Sequence, residues 1–212
     1  MADILDTQFE GKKIELEDNR VKVGDEVNIT AKDPTLRRLM VGIGWDINVF
    51  NVDSLDLDVS MFMLGKDEMT RNDDDFVFYN QPNALDNGIR HGGDSRTGAG
   101  DGDDETILID LHSVPFDVMK LVFVLSIYRG KEKMQNMGMV RNAYFRLVND
   151  DSTYEIVRYQ MSEDLEDKGE KAMVIASLNR EGPKWHFKPV AEFIEGGLKE
   201  IAERYGLLIV EQ

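Results

Sequence analysis

The stretch His91–Leu111, HGGDSRTGAGDGDDETILIDL, decides how the rest of this chain is interpreted. Its first part mixes acids with glycines, and glycine lets the backbone turn through positive φ and expose its carbonyl oxygens. Carboxylates this close repel one another unless a cation neutralises them, and no lysine lies among them. Ca²⁺ is a suitable cation because it takes about six to eight carboxylate and carbonyl oxygens. The acids of the stretch are Asp94, Asp101, Asp103, Asp104 and Glu105.

A solvated acidic loop is the alternative interpretation of the same stretch, since charge runs usually face water. Two features favour a metal site. The glycines are interleaved with the acids, and the apolar segment Thr106–Leu111 follows at once. A disordered acidic linker seldom meets a strand so abruptly, so the residues alone predict metal binding.

A second acidic segment, Leu55–Leu64, alternates between apolar and polar residues as a β-strand does. Its alternation places Asp56 and Asp58 on one face, about 7 Å apart at a strand rise of about 3.3 Å per residue. Two carboxylates at that spacing reach one ion or two adjacent ions. With Asp46 near them in sequence, an ordinary solvated strand face is the less favourable alternative, because like charges on one face oppose folding.

Length and composition indicate one β-rich domain with enough apolar residues for a core. The chain has 212 residues, of which 42% are hydrophobic, and carries a net charge of −16. A surface this acidic repels phosphate backbones and anionic lipid, so we predict no nucleic-acid partner. Cysteine is absent, which excludes disulfides and thiolate metal sites. We see no signal peptide and no apolar run long enough to insert into a membrane, and we expect a cytoplasmic protein.

The order of elements predicts an all-β dominated fold with a C-terminal amphipathic helix and short peripheral helices. Leu39–Ile47, with Trp45 in the core, and Lys120–Tyr128 are the expected central strands. Val21–Val23 suits a short edge strand, and Asn72–Asp75 is expected to be a solvated turn. The expected strand pairs are Ala143–Asn149 with Tyr154–Met161 and Lys171–Leu178 with Trp185–Phe187. The helix is expected to start at Pro189, with a stripe that ends at Tyr205, and Leu207–Val210 to form a last strand or an extended tail.

Several known chemistries do not fit. An EF-hand counted from Asp101 fails, because His112 stands where the twelfth-position Glu belongs. There is no phosphate-binding GxxxxGK[ST] motif and no GxSxG nucleophile motif. The three histidines have no zinc-site spacing. Paired carboxylates in a glycosidase need a cleft with one raised pKa, whereas the glycine-acid stretch is expected to be open and wet. We therefore predict a binding protein and no enzyme.

Four motifs together resemble a known family. They are Gly44–Asp46, Asp56–Asp58, Phe76–Asn80 and the long run Gly93–Glu105. This pattern is similar to the TerD-type tellurium-resistance and calcium-binding stress-protein family of bacteria. The resemblance implies a two-sheet β-sandwich domain over residues 27–212, with residues 1–26 as an N-terminal extension with short edge strands.

The same resemblance implies two Ca²⁺ ions at an acidic pole and a role in resistance to tellurite and other stresses. It also implies partners among other stress-resistance proteins in a membrane-associated complex. Two positions depart from the family pattern, Ser95 where Asn is usual and Ala99 where Glu is common. The implied metal-site residues are Asp46, Asp56, Leu57, Asp58, Asp94, Thr97, Gly98, Asp101, Gly102, Asp103, Asp104 and Glu105.

Two hypotheses from different classes follow. In the first, a calcium-binding stress module signals by ordering its acidic surface. In the second, an Mg²⁺-dependent phosphohydrolase uses the same carboxylates. A phosphoryl-transfer enzyme usually needs a Lys or Arg beside the phosphate, and only Arg90 and Arg96 are near the stretch.

Overall fold

The fold is a sandwich of two β-sheets, described here from a computed structural model of the chain. The structure describes residues 18–46, 55–92 and 102–208. One sheet has seven strands: β1 Arg20–Val21, β3 Arg38–Asp46, β6 Asn83–Ala84, β7 Ile89–His91, β8 Glu105–Asp110, β10 Arg141–Asn149 and β11 Glu155–Gln160. The other has six: β2 Val27–Asn28, β4 Leu57–Leu64, β5 Phe76–Val77, β9 Lys120–Ile127, β12 Ala172–Glu181 and β13 Lys184–Ile194.

Neighbouring strands are joined mostly by antiparallel ladders. The seven-stranded sheet has the order β1-β11-β10-β3-β8-β7-β6, and the six-stranded sheet has the order β2-β13-β12-β9-β4-β5. At the first edge of each sheet, an early strand pairs with a late one. β1 runs parallel to β11, with Arg20 opposite Arg158, and β2 runs antiparallel to β13, with Val27 opposite Phe187.

The predicted central strands are confirmed. β3 lies between β10 and β8, and β9 lies between β12 and β4. The predicted pairings of β10 with β11 and of β12 with β13 are also confirmed. In each case the reason is a continuous or alternating apolar pattern, which specifies both the strand and its buried face.

The main core lies between the two sheets. Trp45 is 4% exposed, as expected, and Leu57 and Val59 point into the same core. Phe145 stands between two other rings, with centroids 5.3 Å from Phe123 and 5.6 Å from Phe187. Burying a side chain of this size contributes roughly 1.5–3 kcal/mol. Most of this core is built from the strands themselves.

Three short helices lie at the periphery: α1 Ile29–Lys32, α2 Ser162–Leu165 and α3 Gly197–Arg204. α3 covers a second apolar cluster on the outer face of the six-stranded sheet, where Phe62 and Val124 meet Ile201. None of the helices in the described ranges is long and apolar enough to cross a membrane.

The predicted start of the C-terminal helix at Pro189 is wrong. β13 continues through Pro189 to Ile194, and the helix begins only at Gly197. Two local features explain this. The β12–β13 register shifts opposite Pro189, where a missing N–H costs little, and Gly197 takes a positive φ of 70° that separates strand from helix. After the helix, Leu207 and Leu208 are not a strand, and the remainder of the predicted Leu207–Val210 tail lies outside the described residues.

The prediction of a solvated turn at Asn72–Asp75 is wrong for its last residue. Asp73–Asp75 forms a 3-10 helix, and Asp75 is 1% exposed. Its two carboxylate oxygens accept hydrogen bonds from Arg71 Nη2 and Nε at 2.7 and 2.9 Å. A carboxylate is buried here because a guanidinium neutralises it. Asp74 remains exposed, as expected.

Candidate metal centre

Five predicted metal-site acids lie at the same end of the sandwich, which we call the acidic pole. Antiparallel pairing brings the last residue of β3 beside the first residues of β8, and β4 begins at the same end. The opposite end, where β3 and β9 begin, is called the distal pole. The acidic pole consists of Asp46, Asp56, Asp58, Asp104 and Glu105.

Glu105 joins the two sheets at this pole. It is 2% exposed, and its Oε2 accepts a hydrogen bond from Val59 N at 2.6 Å. His91 Nε2 lies 3.1 Å from Val59 O and 3.6 Å from Glu105 Oε2. β5 pairs with β4 only at Met61 and Phe62, so Val59 lies beyond that pairing. Here side chains of the other sheet bond the N–H and C=O of Val59. We call this arrangement the Val59 contact.

Asp104 closes the end of β3. Its Oδ2 accepts a hydrogen bond from Trp45 N at 2.8 Å, and its own backbone N–H donates to Ile43 O at 2.8 Å. Burial raises the pKa of this carboxyl, and the neighbouring charges of Asp103 and Asp46 raise it further against the effect of the Trp45 hydrogen bond. The raised pKa shows that the surroundings of Asp104 disfavour its negative charge.

Asp103 is placed differently from its predicted neighbours. Both of its carboxylate oxygens accept hydrogen bonds from Arg146, at 2.8 Å from Nε to Oδ1 and 2.8 Å from Nη2 to Oδ2. Tyr144 donates to Asp103 Oδ1 at 3.0 Å and to the Gly102 carbonyl at 2.9 Å. The carboxylate lies flat on β3 at Gly42, where a Cβ atom would stand 2.2 Å from Asp103 Oδ2. Asp103 therefore has a guanidinium partner, and it would have to leave Arg146 to bind a metal.

This ion pair also changes the ionisation of its neighbours. Burial and the adjacent Asp103 carboxylate raise the pKa of Tyr144 to about 12. The hydrogen bonds from Arg146 to Asp103 raise the pKa of the guanidinium above its usual value. Both groups keep their protons at neutral pH and therefore remain hydrogen-bond donors to Asp103.

The remaining predicted acids have weaker partners. Asp46 is exposed and accepts a hydrogen bond from Asn142 Nδ2. Asp56 Oδ2 lies 3.8 Å from Lys133 Nζ. Asp58 is 9% exposed, lies opposite Ser126 of β9, and is on the face of β4 that points away from the core. Asp56 precedes β4, so the common face of these two acids stays a prediction. Leu57 between them is fully buried in the core.

The donor set is suited to calcium but is incomplete. All candidate donors are oxygens, which hard cations prefer over the nitrogen and sulfur ligands typical of zinc. Within residues 18–46, 55–92 and 102–208, no three acidic or histidine side chains form a ready metal cluster. Asp94, Thr97, Gly98 and Asp101 lie outside the described residues, and so does Arg96. Arg90 lines a cavity with Arg38 and Asp150 on the outer face of the seven-stranded sheet.

Sequence reasoning missed the residues that hold the acids in place. Tyr144 and Arg146 alternate on one face of β10, so their common orientation was readable, but their partner Asp103 is far away in sequence. His91 belongs to the opening stretch, yet only the meeting of two sheets shows why it is there. The register between strands that are distant in sequence determines which of these side chains meet.

Comparison with known proteins identifies similar sequences over most of the chain. The TerD domain family model matches residues 19–205. A tellurium resistance protein TerD from Serratia marcescens is 39% identical over 184 residues, which are 87% of this chain and 95% of that protein. General stress protein 16U from Bacillus subtilis is 37% identical over 187 residues, or 88% and 96% of the two chains.

A solved structure supports the fold independently. The crystal structure of a homologue of telluride resistance protein TerD from Streptomyces coelicolor superposes with a TM-score of 0.64 at 18% sequence identity. The superposition covers 79% of this chain and 95% of that one. At this level of identity the likeness concerns the two-sheet architecture alone.

Proposed function

The chain belongs to the TerD domain family, whose relatives are tellurium-resistance and stress-response proteins, and from this membership we propose that it binds Ca²⁺ at the acidic pole. The observation that carries the proposal is the convergence of strand ends from both sheets. Glu105 bonds Val59 across the sheets, and Asp104 bonds the end of β3. These contacts fix Glu105 beside Val59 of β4 and Asp104 beside the end of β3, at the same end of the sandwich as Asp46.

Ca²⁺ would supply charge neutralisation to this pole. Asp104 offers Oδ1, because Oδ2 already holds Trp45 N. Asp46, Asp56, Asp58 and Glu105 are the other described candidates. The proposal assigns further oxygens to Asp94, Thr97, Gly98 and Asp101. We assign Asp103 to Arg146 instead, because three of its hydrogen bonds come from that guanidinium.

The proposed output is a change in the surface of the pole. Ion binding would order the acids and reduce their mutual repulsion, and a partner would recognise the ordered, partly neutralised surface. We place that partner among the stress-resistance proteins of a membrane-associated complex. Arg90 does not support the Mg²⁺ phosphohydrolase alternative, because it lines a cavity on the outer face of the seven-stranded sheet and not the acidic pole.

Calorimetric titration of chelator-treated protein with Ca²⁺ and Mg²⁺ separately tests the proposal. We expect saturable Ca²⁺ binding and weaker Mg²⁺ binding, because Mg²⁺ dehydrates reluctantly and prefers to keep waters. Asp104→Asn and Asp58→Asn should each weaken Ca²⁺ binding about tenfold or more, through loss of a charged ligand.

Asp74→Asn is the matched control, since it removes one exposed carboxylate from a turn elsewhere. It should leave the Ca²⁺ affinity unchanged. Absence of Ca²⁺ binding by the parent protein would refute the proposal. A loss of affinity in Asp74→Asn without one in Asp58→Asn would show that the site lies elsewhere.

A further inference from the structure

The distal pole carries a groove with aromatic walls, which we call the distal groove. It is a cavity of about 320 Å³ beside the β12–β13 turn. Its lining includes Leu36, Val114, Phe116, Arg180, Pro183 and Trp185. None of these residues belongs to the acidic pole.

Arg180 is stacked between two rings in this groove. Its Cζ lies 4.5 Å from the ring centroid of Trp185 and 5.5 Å from that of Phe116. Its Nη atoms donate to backbone carbonyls, at 3.0 Å to Val114 O and 3.2 Å to Val118 O, and also to Pro115 O. The guanidinium therefore has a fixed position at the base of an apolar surface.

The charge of Arg180 has no carboxylate beside it in the described part of the chain. The Asp117 carboxylate accepts from Arg71 Nη1 at 2.7 Å, and that of Glu181 lies 3.4 Å from His186 Nε2. Burial lowers the pKa of Arg180, and the negative charge of Asp117 opposes this effect without cancelling it, so a counter-ion replaces the lost hydration only in part. Neutral carbonyls alone compensate a desolvated charge only partly.

Phe116 adds a large apolar surface to the same place. It is 88% exposed, whereas Trp185 beneath Arg180 is 3% exposed. Aromatic and arginine side chains grouped at a pocket are the typical anchors of protein interfaces.

We propose that the distal groove docks a segment of a partner protein in which a large apolar side chain stands next to a carboxylate. The apolar side chain would cover the outer face of Phe116 and enter the groove against Leu36 and Pro183. The carboxylate would pair with the exposed edge of Arg180. Charge complementarity favours an acidic partner residue, because its carboxylate would form the ion pair that the stacked guanidinium of Arg180 does not have. The proposal does not depend on calcium binding at the other pole.

Nuclear magnetic resonance titration of the full chain with two blocked dipeptides tests the proposal. The probes are N-acetyl-Phe-Glu-amide and N-acetyl-Phe-Gln-amide, which differ in one charge. We expect the Glu probe to bind saturably at millimolar concentration and to shift the Trp185 indole and Arg180 Nε signals. The Gln probe should bind about tenfold more weakly, because it loses a charge-assisted hydrogen bond.

Phe116→Ala should abolish binding of the Glu probe without lowering the melting temperature, because the ring is exposed. Leu208→Ala is the matched control, since it truncates a side chain that is 91% exposed away from the groove. Equal affinity for the two probes, or absence of saturable binding, would overturn the proposal. Self-association of the parent protein that Phe116→Ala abolishes in sedimentation velocity would also overturn it, because the occupant would then be a second copy.

Discussion

At the residue scale, the three consecutive acids Asp103, Asp104 and Glu105 have different partners. Asp103 is neutralised by Arg146, Asp104 caps a strand, and Glu105 bridges two sheets. The sequence predicts that these acids cluster at one end of the sandwich, because their spacing and glycine content are local properties. It does not predict which acid meets a guanidinium, because Arg146 enters through the register of β10 with β3.

The Asp103–Arg146 pair is expected to stabilise the fold. The Asp103 side chain is 5% exposed, so Arg146→Met should leave a poorly hydrated carboxylate and cost about 1–3 kcal/mol of unfolding free energy. Urea unfolding measures this cost. Arg37→Met is the control, because its ion pair with Asp110 is exposed and should contribute less than about 1 kcal/mol. Equal losses in the two variants would contradict the prediction.

Asp33 should contribute a stability that depends on pH. Burial opposes ionisation, but hydrogen bonds from Asn149 and Thr35 outweigh it and lower the pKa of Asp33 below its ordinary 3.8. A depressed pKa in the folded state stabilises the protein above about pH 4, and this contribution is lost as pH falls through the folded pKa.

Asp33→Asn should therefore unfold with a shallower loss of stability below pH 4 than the parent protein. Chemical unfolding between pH 6 and pH 3 measures the slope. Asp74→Asn, at an exposed position, should keep the parental slope. An unchanged slope in Asp33→Asn would show that other carboxylates cause the acid dependence.

At the scale of elements, alternation was a reliable guide to strands and a poor guide to the C-terminal helix. β4 and β10 were predictable because their apolar residues repeat with the strand period, and β9 because its apolar run is continuous. The segment from Pro189 to Ile194 has apolar residues at spacings that fit a helix as well as a strand. Pairing of β13 with β12 decides between them, and that contact is tertiary.

The Val59 contact, which joins β4 to β7 and β8, is expected to stabilise the folded protein. His91→Leu removes the partner of the Val59 carbonyl and should cost about 1–3 kcal/mol, because a buried acceptor loses its hydrogen bond. Thermal or urea unfolding in the presence of chelator measures it without any metal contribution. His112→Leu, at an exposed position, should change stability by less than about 0.5 kcal/mol. Equal losses of unfolding free energy in His91→Leu and His112→Leu would contradict a structural role for His91.

At the scale of the whole molecule, the core and the proposed metal site are separable. The two apolar clusters are formed mainly by strands and α3, whereas the acidic pole lies at the end of the sandwich. Composition and pattern predicted a β-rich domain with its own core, and the family resemblance implied the two sheets. The distal groove was not predictable, because Phe116 lies in the β8–β9 connection, and it meets Arg180 of β12 and Trp185 of β13 only in the folded chain.

Ca²⁺ should accordingly raise the melting temperature without being required for folding. A ligand that binds only the folded state at a hundredfold excess over its Kd adds about 2.7 kcal/mol. Calorimetry with Ca²⁺ and then chelator measures a reversible shift. Hydrogen exchange should show added protection around Asp46, Asp58 and Asp104 and little change in β10. Uniform protection of the whole chain would mean instead that the ion is a folding cofactor.

The pairing of early with late strands has a consequence for biosynthesis. β1 and β2 leave the ribosome long before β11 and β13, their partners in the two sheets. Until those partners emerge, the edges of both sheets stay open, and the nascent chain exposes unpaired strands that can aggregate. The domain can therefore close only after β11 and β13 have emerged, and chaperone protection of the nascent chain is most valuable until then.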